Sequence, residues 1–195
     1  LSQDGKEVKS NRQLLVHTAV LNALTLWGYT IIWFYKNWKQ INRFAIKEYE
    51  KDPEKFESLK GGKETWEYLR KMKPWMLTFG LLVPYYQIYM AFVLFKQVAE
   101  ISPKCKSTKP ISLAIMLAAI TYILLAFSEH RDALFLLSFL GVIPLVYVQD
   151  LLNAFWLSVE PDDAVVRKRY TLEEMLFIAI GVAALVFYAA MPKFM

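Results

Sequence analysis

The chain has 195 residues, a formal net charge of +5, and 56% hydrophobic and 15% aromatic residues. This length suits one domain or one small membrane bundle, and the apolar share exceeds the roughly 45–50% of ordinary soluble domains. One Cys and two His exclude a disulfide framework and a zinc site made of Cys and His, so neither a metal nor another cofactor is expected.

Residues 1–13 are a polar N-terminal segment with Lys6, Lys9 and Arg12. It lacks the apolar region of a signal peptide and reads as mobile. Residues 14–195 read as a single membrane domain with five apolar windows. The first, 14–35, holds His17, Asn22 and Gly28 and is 22 residues long. That length spans a hydrocarbon core of about 30 Å as a helix. The stretch Leu24–Arg43 then passes from apolar to aromatic, with Trp27, Trp33, Tyr35 and Trp38, and gains Lys36, Lys39 and Arg43.

Residues 36–74 hold eleven Lys/Arg and seven Asp/Glu. Two apolar stripes at helical spacing stand out, Ile41–Phe44–Ala45–Tyr49 and Trp66–Leu69–Met72. Asp52-Pro53 predicts a helix start and Gly61-Gly62 a helix end. Short amphipathic helices on the membrane surface are expected here, with a solvated charged linker as the plainer alternative.

The second window, 75–95, has Trp75 at its start and Pro84 near its middle. A polar link with Cys105 follows. Window 111–127 has no charge and no Pro and is the cleanest spanning candidate. The turn Glu129-His130-Arg131-Asp132 leads to window 133–157, which carries Pro144 and, near its end, Asp150 and Asn153. Thr171-Leu172-Glu173-Glu174 predicts a capping box opening the last window, 175–191.

Charge decides between two topologies. With five full spans the basic residues divide almost evenly between the two sides. If windows 14–35 and 75–95 dip in and return near Gly28 and Pro84, twenty-one basic residues lie on one side against Arg131 and Lys193. The positive-inside rule favours these broken hairpins, with the basic loops cytoplasmic. Non-helical backbone at membrane depth must then be covered by protein.

The chemistry-bearing residues are few. Asp150 and Asn153 are three apart and so share a helix face; an acid inside a membrane is a functional candidate, and an interfacial position is the plainer reading. His17 and Asn22, about 500° apart around a helix, suit hydrogen bonding between helices. No Ser–His–acid set or phosphate loop is present, so no catalytic residue is assigned. The aromatic–basic group Trp33, Tyr35, Lys36, Trp38, Lys39, Arg43 and Trp75 reads as headgroup-level anchoring, or more sharply as a lipid-headgroup pocket. The basic residues beside apolar windows suit anionic phospholipids, and none is arranged for nucleic acid.

Gly28-Tyr29-x-x-x-Trp33-Phe34-Tyr35-Lys36-Asn37-Trp38 resembles a G-I-Y-x-x-x-W-F-Y-K signature. That signature belongs to small, uncharacterised bacterial integral membrane proteins with a domain of unknown function. Pro74-Trp75, Phe95-Lys96, Pro144–Gln149, Leu152-Asn153 and Arg169-Tyr170-Thr171-x-x-Glu174 look similar to later segments of that group, in the same order. The resemblance implies a multi-pass protein of the bacterial inner membrane and brings no activity. The fold expected is all-α, a polytopic integral membrane helical bundle with Gly/Pro-broken apolar hairpins and interfacial amphipathic helices. The function expected is a non-enzymatic accessory or scaffolding subunit, bound to other membrane protein subunits or to copies of itself. A small lipid or proton transporter using Asp150 is the alternative.

Overall fold

Tyr29, Trp33, Asn37, Trp38, Ile41, Asn42 and Ala45 fall one, three or four residues apart, as one face of a helix does, and all are buried. They form one continuous inward stripe on helix α2 (Gly28–Lys51), which is 24 residues long. The sequence suggested an apolar window ending at Tyr35 and separate short helices beyond it. The helix instead runs straight through that boundary, because the stripe does not break there and the lysines fall on the other side. These features come from a computed structural model that describes residues 9–24, 28–83, 86–105, 142–167 and 170–190. Window 111–127, the turn Glu129–Asp132, Trp27, Pro84 and Lys193 lie outside the described residues, as does the first part of window 133–157.

The described chain is mostly helical. Helix α1 (Leu15–Leu24) precedes α2. Then come α3 (Pro53–Glu57), α4 (Gly62–Lys71), α5 (Pro74–Gly80) and α6 (Tyr86–Ile101). Helices α7 (Val142–Val159) and α8 (Leu172–Ala190) complete the set. Local signals explain the starts. Asp52 accepts the Lys55 N–H at 3.0 Å, and Pro53 occupies the first turn of α3. Gly61 and Gly62 take positive φ, 110° and 78°, at the turn into α4. The capping box is present: Thr171 N–H donates to Glu174 at 2.9 Å, and Glu174 N–H donates to the Thr171 hydroxyl at 3.2 Å.

Segment 36–74 is not a solvated linker. Phe44 sits between Trp66 (5.8 Å), Phe155 (5.4 Å) and Trp156 (5.8 Å), and Phe56 packs on Trp66 at 5.7 Å. This aromatic core ties α2, α3 and α4 to the C-terminal end of α7. Burying so many rings gives the core its main driving force, with edge-to-face pairs adding about 0.5–1.5 kcal/mol each. Asn42 donates its side-chain amide to the Leu69, Arg70 and Met72 carbonyls, at 2.7, 2.9 and 3.2 Å, closing the end of α4.

Residues 9–13, read from sequence as a mobile polar segment, are ordered. Strand β1 (Lys9–Gln13) pairs in parallel with β2 (Val165–Arg167) in a small irregular sheet. Glu160 fixes it by accepting from the Ser10 hydroxyl at 2.5 Å and the Asn11 N–H at 2.6 Å, with Arg12 Nε at 3.4 Å. Three residues of β2 are too few to show a period-two pattern in the sequence.

Among the described residues one helix, Val142–Val159, is long and apolar enough to cross a membrane by length and composition. The outward surface is apolar over a wider area. Trp75, Met76, Phe79, Leu82 and Val83 are exposed around α5, and Leu172, Met175, Leu176, Ile180, Val186 and Phe187 along α8.

Candidate functional site

Several polar residues of the apolar helices turn inward, while Glu173 and Ser158 stay exposed. On α1, His17, Thr18 and Asn22 are buried, while Val16 is 67% exposed. On α7, Gln149 is fully buried. On α8, Glu174 is 1% exposed, while Leu172, Met175 and Leu176 around it point out.

Three hydrogen-bonded chains occupy this interior. In the first, Trp33 Nε1–H donates to Gln149 Oε1 at 2.7 Å and Gln149 Nε2–H donates to Asn153 Oδ1 at 3.0 Å. Asn153 in turn donates to the Gln13 carbonyl at 2.7 Å and accepts the Gln13 N–H at 3.0 Å. This chain links α2 to α7 and then to β1. In the second, Glu174 accepts from the Tyr29 hydroxyl at 3.2 Å and pairs with Lys36 Nζ at 3.5 Å. Lys36 also lies 5.7 Å from the centre of the Tyr29 ring. In the third, Thr30 donates its hydroxyl to Asn22 Oδ1 at 2.6 Å, and Asn22 donates to the Thr18 carbonyl at 2.7 Å. His17 stacks on Tyr170 with ring centres 4.2 Å apart. Burial and the nearby Glu174 charge push the Tyr170 phenol above its ordinary pKa.

The expected site residues separate into groups. His17, Asn22 and Asn153 belong to separate inward contacts, each hydrogen-bonded or stacked across helices or strands. Asp150 does not join them, although it sits one turn from Asn153. It hydrogen-bonds and ion-pairs with Lys104, just beyond α6, and is partly exposed. Trp33 and Trp38 are fully buried. They pack protein rather than the headgroup level, because both lie on the inward stripe of α2 that neighbouring helices cover. Tyr35, Lys36, Lys39 and Arg43 lie toward the other side, with Lys39 Nζ 5.2 Å from the Tyr35 ring centre. Trp75 is 55% exposed on α5. Sequence reasoning missed Gln149 and assigned Glu174 only a capping role. The signal available was a lone amide and a lone acid at the edges of apolar windows.

This arrangement fixes helices against one another. Its carboxylate is held by a phenol, an ammonium and a backbone N–H, and its amides are engaged on both donor and acceptor sides. Among the described residues no group of three or more His, Cys, Asp or Glu converges to hold a metal ion. Compared with protein-family models, curated proteins and solved structures, the chain matches none.

Proposed function

We infer that this chain is a non-enzymatic accessory or scaffolding subunit of a larger membrane assembly. The observation that carries the reading is the set of large exposed apolar faces beside helices locked by buried hydrogen bonds. Buried hydrogen-bonded polar side chains lock α1, α2, α7 and α8 together, while the outward faces of α5 and α8 carry large apolar residues. Exposed apolar faces on α5 and α8 suit a bilayer, and an extended apolar face along one helix suits a neighbouring helix. The sequence resemblance to small bacterial inner-membrane proteins agrees with this, with the basic loops cytoplasmic and anionic phospholipids as further partners.

The broken-hairpin arrangement gains support from one further relation. Lys60 donates to the Ser102 carbonyl and to the Cys105 carbonyl (3.0 Å), and Thr65 donates to Glu100 at 2.7 Å. Segments 36–74 and 96–105 therefore meet. Five full spans would hold them on opposite sides of a core about 30 Å thick.

The test is site-specific photo-crosslinking in native membranes from Ile180 and Phe187 on α8. Adducts of one defined mass with a second membrane protein, or with another copy of this chain, are the expected result. Crosslinks to lipid alone would remove the scaffolding reading. The transporter alternative has less support, because Asp150 is paired with Lys104 outside the buried chains; a flux abolished by Asp150→Asn with assembly intact would revive it.

A further inference from the structure

We propose that α5 and the turn after it, residues 74–83, form a shallow wedge that inserts into one leaflet of an anionic bilayer. The proposal rests on the membrane reading above and adds which surface enters lipid. Three independent features carry it.

The first is the apolar tip. Trp75, Met76, Phe79, Leu82 and Val83 are all more than half exposed, and Phe79 reaches 64%. Phe79 lies against Trp75 with ring centres 6.3 Å apart. These five side chains cover consecutive turns of one short element, so the exposed apolar surface is contiguous along it.

The second is that five N–H groups of the tip pair within it or with Lys73 just before it. Pro74 has no N–H, and the Met76 and Leu77 N–H groups both donate to the Lys73 carbonyl, at 3.0 and 3.2 Å. In the turn, Leu81 donates to Thr78 (3.1 Å), Leu82 to Phe79 (3.0 Å) and Val83 to Gly80 (3.2 Å). The Thr78 hydroxyl donates to the Pro74 carbonyl at 2.8 Å. Internal pairing is what hydrocarbon demands, since each unsatisfied group there costs several kcal/mol.

The third is charge. Lys71 and Lys73 are exposed immediately before the tip, and Lys71 also pairs with Glu67 at 3.2 Å. Cations at the base of an apolar tip fit anionic headgroups above the acyl chains. Depth follows from length. Seven helical residues rise about 10 Å, less than half of a core about 30 Å thick, so the wedge stays within one leaflet.

The test uses the purified full chain in nanodiscs, in a Cys105→Ser background, with spin labels at Phe79→Cys, Leu82→Cys, Ile180→Cys and Lys63→Cys. Collisions with oxygen, which favours lipid, are compared with those of a water-soluble nickel chelate. In discs containing phosphatidylglycerol, the labels at positions 79 and 82 should favour oxygen as the label at 180 does, and the label at 63 should favour nickel. Replacing Lys71 and Lys73 together by Gln should lower the inserted-to-released ratio of the tip by roughly an order of magnitude. Nickel access at 79 and 82 with oxygen access at 180 would overturn the wedge alone. Protection of 79 and 82 from both reagents would overturn it in favour of a protein cover. Nickel access at 180 as well would overturn the membrane reading beneath it.

Discussion

Trp33 and Gln149 are 116 positions apart in sequence and share one hydrogen bond of 2.7 Å in a region closed to solvent. The bond fixes α2 against α7, and Gln149 passes the constraint on to Asn153 and β1. Gln149→Leu should leave the indole N–H buried without a partner and cost about 1–3 kcal/mol. Trp33→Phe together with Gln149→Leu removes both partners and should cost less than the sum of the single changes. Thermal unfolding of the four proteins in one detergent measures the coupling.

Glu174 completes the capping box of α8 by accepting the Thr171 N–H, and it receives Tyr29 and Lys36 from α2. Glu174→Ala should lose about 1–2 kcal/mol through the cap alone. Glu174→Gln keeps an acceptor for the Thr171 N–H and should recover part of that loss. Hydrogen exchange across 170–180 should rise in the Ala variant and less in the Gln variant.

The Tyr170 phenol sits above its ordinary value of 10.0, through burial first and the Glu174 charge second. Its folded pKa exceeds its unfolded one. Its contribution to stability is therefore complete below about pH 10 and falls as pH rises through the folded value. Glu174→Gln should bring the Tyr170 titration closer to ordinary without removing the burial effect. Ultraviolet difference titration of wild type against Tyr170→Phe isolates this phenol.

Gly61 and Gly62 both have positive φ, but their surroundings differ. A Cβ on Gly61 would lie 3.2 Å from Ile101 Cγ2, whereas one on Gly62 meets nothing within 4 Å. Gly62→Ala should cost about 1 kcal/mol from backbone strain. Gly61→Ala should cost more, because the Ile101 side chain must also give way. Denaturant unfolding of the two variants gives the order.

Much of the local structure was legible because its signals are short-range. Asp52-Pro53 and Thr171-x-x-Glu174 each act within one turn of backbone, whereas Gly61-Gly62, expected to end the helix after Pro53, instead opens α4, that helix having ended at Glu57. The inward stripes at Ile41–Ala45 and at Trp66–Met72 were legible as periodicity. Their destination was not, since the Phe44, Trp66 and Phe155 cluster joins segments more than a hundred residues apart in sequence. The same limit hid β1–β2 and the Trp33–Gln149 bond. Trp33 and Trp38 were read as headgroup anchors from composition. Burial of their faces depends on α2 continuing past Tyr35, which the charge change at Lys36 obscured. Asp150 and Asn153 share a face by spacing, yet the fold sends one to Lys104 and the other to Gln13.

The broken-hairpin topology places segments 36–74 and 96–110 on one side of the membrane. Cys probes at Lys55 and Lys106, in a Cys105→Ser background, should both be labelled by an impermeant reagent from the same side, and that side should be cytoplasmic. Labelling from opposite sides would restore the five-span arrangement.

The central claim is that this chain works as part of a larger membrane assembly. Gentle extraction into lipid nanodiscs, followed by native mass spectrometry of what stays bound, tests it most directly. The account predicts a fixed stoichiometry with a second membrane protein or with further copies of the chain. A lone chain carrying only lipid would contradict it.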